Sequence, residues 1–122
     1  MDHEQILQNI VGALRSELGE GYATISSFVE TQGRLLAKQA EDLAKSRLTG
    51  SLANDDELYH FFLQSLQQNT ENMAKSLVML SALTLEIAWN AVAGALWGGI
   101  RSILTGAGVP ADLLPQTPPV HL

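Results

Sequence analysis

The chain has 122 residues, 46 % hydrophobic and 16 % charged, which is enough for one domain and too apolar for intrinsic disorder. Its formal charge of −6, with only 7 Lys+Arg, disfavours nucleic-acid binding through phosphate neutralisation. It contains no cysteine, which excludes disulfides, thiolate metal sites and a cysteine nucleophile.

Met1-Asp2-His3-Glu4 lacks the basic start and apolar run of a secretory leader, so a cytoplasmic location is the expectation. All four prolines lie at or beyond Pro110. The proline-free stretch before them is rich in Leu, Ala, Gln and Glu and reads as helix. The chain therefore divides into a helical domain over 1–108 and a Pro-rich tail over 109–122.

A first helix is predicted over about 3–48. Asp2 is placed to cap it, with Gln5 at the capping-box position. Its apolar stripe runs through Leu7, Val11, Leu14, Leu18, Tyr22, Ile25, Val29, Leu36, Ala40 and Leu43. Leu7, Ile25 and Leu43 are 18 residues apart, five turns of a straight helix. The stripe keeps its phase through Gly19-Glu20-Gly21, which favours one long helix; the alternative is two helices broken there. Lys45 and Arg47 suit the negative end of the helix dipole, and Gly50 is positioned as a left-handed C-cap.

A second helix is predicted over about 55–104. Asn54 is its expected cap, with Asp55, Asp56 and Glu57 in the first turn. Its stripe is Leu58, Phe62, Leu66, Met73, Leu77, Leu80, Ile87, Ala91, Gly94 and Gly98. The first half is amphipathic; the second half is apolar nearly all round. Glu30/Arg34, Glu41/Lys45 and Glu71/Lys75 have the order that favours i,i+4 pairing on exposed faces. Gln32, Gln39, Asn69 and Asn90 fall on or beside the stripes, where polar groups fix register.

A short connection makes the two helices an antiparallel all-α hairpin, with facing residue numbers summing to roughly 104. Two long helices alone cannot enclose a core. Self-association into a four-helix or larger bundle is therefore expected. Phe61, Phe62, Leu80, Ile87, Ala91, Gly94, Ala95 and Gly98 are the candidate interface residues. Glu86, within the apolar half, needs a buried partner, and the register offers Arg15.

Three further readings follow. Ser76–Ile100 is long enough to span a bilayer and carries one charge, Glu86, which raises membrane or lipid-surface association as an alternative. Glu57-Leu-Tyr-His60 has the Glu-x-x-His spacing of ferritin-like di-iron sites, making Glu57 and His60 candidate metal ligands. The register puts Arg47 and Ala44 opposite them, not a further carboxylate. The tail combines prolines with Leu113, Leu114, Val120 and Leu122, a composition suited to docking on a protein surface. No Gly-x-Ser-x-Gly elbow, P-loop or dinucleotide fingerprint occurs in the sequence, and no enzyme activity or cofactor is expected. The leading expectation is a structural or interaction protein, a subunit of a homo-oligomeric assembly or a scaffold.

Overall fold

A computed structural model describes residues 1–120; His121 and Leu122, the end of the predicted tail, lie outside the described residues. The chain is all-helical, with α1 (His3–Leu18), α2 (Tyr22–Thr49), α3 (Asp56–Leu80) and α4 (Leu85–Gly106). Short 3-10 turns occupy Gly19–Gly21 and Ala111–Leu113.

The two long predicted helices are each broken once. The first break is at Gly19, which has φ 55 and ψ −124, a conformation that a side chain makes unfavourable. The chain reverses there, and α1 lies antiparallel on α2. Arg34 Nε donates to Glu4 Oε1 at 2.9 Å, and His3 Nδ1 lies 2.9 Å from Glu41 Oε1. Arg34 thus pairs with α1 instead of with Glu30, whereas the predicted Glu41–Lys45 pair forms at 3.2 Å.

The second break is at Ser81–Thr84, where the sequence pattern predicts unbroken helix. Ser81 Oγ donates to Leu77 O at 2.6 Å and accepts from Leu83 N at 3.3 Å. Thr84 Oγ1 then caps α4 by accepting from Ile87 N at 3.2 Å. Hydroxyls of this kind offer the backbone an alternative to helical bonding. Leu83 is buried, which fastens the turn to the bundle.

The local signals elsewhere are close to expectation. Asp2 and Gln5 form the capping box, each backbone N–H bonded to the other side chain at 2.9 Å. The α3 cap is Asp55, one residue after the expected Asn54, and it accepts from Leu58 N at 2.9 Å. Gly50 is extended (φ −103), not left-handed. Its backbone lies so close to Ser46 that a Cβ would sit 2.9 Å from Ser46 Cα.

The four helices form an up-down-up-down bundle within one chain. Helix α2 packs against all three others, and so does α4, while α1 and α3 occupy opposite outer corners. Ile6, Ile10, Leu14, Ile25, Leu66, Leu77, Trp89, Leu96, Trp97 and Ile100 fill the core. Fully burying a large aliphatic side chain contributes roughly 1.5–3 kcal/mol. Most of the apolar circumference of α4 is therefore covered by its own chain. This corrects the premise that a second copy is needed to enclose the core.

At the α1–α4 contact a methyl group on Gly99 would come 2.6 Å from Ile6 Cγ1, whereas one on Gly98 would meet open space. Gly99→Ala is expected to lose about 1–3 kcal/mol by overpacking. Gly98→Ala is expected to be neutral or to gain up to about 1 kcal/mol from helix propensity. Urea unfolding of the two variants checks the contrast.

Candidate interaction surfaces

The Pro-rich tail does not leave the bundle. After the turn at Ala111–Leu113 it runs back along α4 in extended conformation, with φ −80 and ψ 141 at Leu114. Trp89 Nε1 donates to Pro118 O at 2.8 Å. Arg101 Nη1 donates to Pro115 O at 3.1 Å and to Thr117 Oγ1 at 2.9 Å. Val109, Leu114 and Val120 pack against the core, while Gln116 and Pro119, three residues apart, face solvent. A three-residue period is that of polyproline II. The spacing of Trp89 and Trp97 with Arg101 on one helical face is the signal that marks the tail's seat.

Between tail and α3 lies a cavity of about 470 Å³, lined by Arg47, Tyr59, His60, Leu63, Leu104 and Leu114 among others. Arg47 Cζ stacks 4.4 Å over the Tyr59 ring, and the guanidinium donates to Leu52 O at 2.8 Å and Asp56 Oδ1 at 2.6 Å. The Tyr59 hydroxyl is buried without a partner, and that burial pushes its pKa up. Glu57 and His60 are both exposed. Among the described residues no third His, Asp or Glu joins them in a metal-holding group. Asp56, not Glu57, faces Arg47.

A second surface is the outer groove between α2 and α3. Leu35 (60 % exposed) and Phe62 (40 % exposed) line a cavity of about 480 Å³ with Leu43, Leu52, Ser46 and Ser65. A neighbouring cavity of about 410 Å³ is lined by Phe28, Leu35, Leu36, Asn69 and Met73. Asn69 Nδ2 donates to Gln39 Oε1 at 3.1 Å across the groove, so two of the four polar residues singled out in the sequence do link the helices. Phe61 is 61 % exposed and meets the Phe62 ring edge-on, with centroids 5.6 Å apart.

The remaining candidate interface residues are not in that groove. Ile87, Ala91, Gly94, Ala95 and Gly98 form a half-buried row on the outer side of α4, and Leu80 is exposed at the end of α3. A Cβ on Gly94 or Gly98 would meet nothing within 4 Å. The expected buried Arg15–Glu86 pair is absent. Glu86 is exposed in the first turn of α4, where the dipole favours an acid. Arg15 is also exposed and lies 5.0 Å from the Tyr22 ring centroid. The break at Ser81–Thr84 also divides the proposed membrane segment, so Ser76–Ile100 is not one helix. Among the described residues no helix is long and apolar enough to cross a membrane.

No family model, curated protein or solved structure matches this chain.

One ionic cluster is partly withdrawn from water. Glu41 has a side chain 9 % exposed and is held by His3 and by Lys45. The hydrogen bond from His3, then that from Lys45, holds its carboxyl below the usual carboxylate range against the opposing effect of burial.

Two outcomes are expected. Arg101→Ala should free the tail: about 1–3 kcal/mol of stability is lost, Trp emission shifts red and cleavage after residue 110 accelerates. Fluorescence and limited proteolysis check this. A depressed folded-state pKa means that Glu41 stabilises at neutral pH and that this contribution disappears as pH falls through the folded value. Glu41→Gln should therefore lower stability at pH 7 and flatten the acid limb below about pH 4.3, measured by denaturation across pH.

Proposed function

We propose that this chain is a structural interaction protein that assembles with further copies of itself. The observation that carries this reading is the apolar outer groove of α2 and α3, where Leu35 and Phe62 stand exposed in one cavity and the exposed Phe61 ring meets Phe62 edge-on at its margin. Aromatic rings with aliphatic neighbours supply the buried centre of protein interfaces, and exposing them otherwise costs hydrophobic free energy. The row Ala91, Gly94, Ala95 and Gly98 on α4 offers a shallow surface that a protruding side chain or a helix can approach closely. The core is already closed within one chain, so this outer surface is free to meet another copy.

Phe62→Glu with Leu35→Glu places two charges in the groove without touching the core. The expected result is loss of the assembly made through the groove, read as a drop in mass by light scattering on a size-exclusion column, with unchanged helical circular dichroism. Gly94→Leu adds a side chain where the chain itself has room, so a drop in mass there assigns the contact to α4. A wild-type protein that stays monomeric over a hundredfold concentration range overturns the reading.

A further inference from the structure

We propose that the bundle exchanges halves with a second copy of this chain, by straightening at Gly19–Gly21 and Ser81–Thr84 together. This rests on the self-association reading, but it uses the core contacts and not the outer groove.

The geometry that permits it is the common level of the two hinges. The α2–α3 contacts Arg47–Asp56 and Gln39–Asn69 pair residue numbers that sum to 103 and 108. The α1–α4 contact Ile6–Gly99 sums to 105. Glu20 and Leu83, the hinge centres, sum to 103, so they lie opposite one another. A chain bent across its middle at one level is a long hairpin folded in half. Straightening both hinges leaves the α1–α4 and α2–α3 pairings within the chain. The contacts of α1 with α2, of α3 with α4 and of α2 with α4 are released, and a second straightened copy running the opposite way restores them.

The sequence accepts the straight form. Leu7, Val11, Leu14, Leu18, Ile25, Val29, Leu36 and Leu43 lie within an arc of about 60° when 3–49 is one helix. Ser81-Ala82-Leu83-Thr84 contains no proline or glycine. Because the core contacts are the same in both forms, hinge strain and the entropy of association decide between them. This is the general reason that swapping is a low-cost route to dimers.

Gly19 is the lever. Its φ of 55 with ψ −124 belongs to the bent form alone, whereas Gly21 has helical angles already. Gly19→Ala strains the bend and favours the straight helix, so it should raise the dimer association constant roughly tenfold or more. Gly21→Ala should not produce that rise. The test refolds wild type and both variants from urea at high concentration and measures mass by light scattering. Absence of native cysteine allows a paired probe. Glu4→Cys with Arg34→Cys spans α1 and α2, and Gln39→Cys with Asn69→Cys spans α2 and α3. In a swapped dimer a short bismaleimide joins two chains through positions 4 and 34 and stays within one chain at 39 and 69. A dimer in which both pairs link within one chain overturns the exchange and leaves assembly by the outer surface standing. Gly19→Ala that refolds only to monomer overturns the exchange, and a wild type that is also monomeric removes the self-association reading with it.

Discussion

The fold depends on one constraint: α4 is apolar nearly all round and must be covered on more than one side. Ala88, Trp89, Val92, Ala93, Leu96, Trp97, Ile100 and Leu104 are buried and point in several directions from one helix. A single antiparallel neighbour covers one stripe of such a helix. Here α1, α2 and α3 close around α4, the tail lies over Trp89 and Arg101, and the row from Ile87 to Gly98 stays half-buried on the outside. The reversal at Gly19 brings α2 against α4 as well as α3, which a straight first helix would not do within one chain.

What the sequence could show, and what it could not, follows from the difference between pairing and folding back. Capping is local chemistry, so Asp2 and Gln5 were legible, and the α3 cap was off by one residue only because Asn54 and Asp55 both offer a suitable oxygen. The hairpin register was legible because it depends on one short turn. It holds for Arg47–Asp56 in one half and Ile6–Gly99 in the other. The break at Gly19–Gly21 was legible only as the alternative, and the one at Ser81–Thr84 was hidden. An apolar stripe in phase across Gly19–Gly21 serves a continuous helix and a folded one equally well. At Ser81–Thr84 no glycine or proline gives warning; two hydroxyls and the burial of Leu83 make the turn.

The candidate sites fared differently because they depended on what lies opposite. Glu86 was read as buried from the apolarity of its neighbours in sequence, but a helix that starts at Leu85 leaves its first-turn acid in water. Glu57 and His60 have the right spacing on one helix and lack a third ligand across the bundle among the described residues. Phe61 and Phe62 were legible as surface aromatics, but Leu35 was not, since its exposure depends on how α3 lies against α2.

The tail shows why a Pro-rich segment suits the side of α4 that carries Trp89 and Arg101. Any chain laid across an apolar helix risks burying backbone N–H groups without acceptors. Proline has no N–H, so Pro115 and Pro118 can be half-buried without that cost. An extended polyproline segment makes no internal hydrogen bonds, so its carbonyl oxygens are free to accept. Those of Pro115 and Pro118 take the donors that α4 would otherwise leave unmatched, the Arg101 guanidinium and the Trp89 indole N–H. The match is mutual: without the tail, Trp89 keeps its apolar packing but loses the acceptor for its one polar group. A half-exchange of the bundle would preserve this arrangement, because the tail is carried by α4 and its seat travels with it.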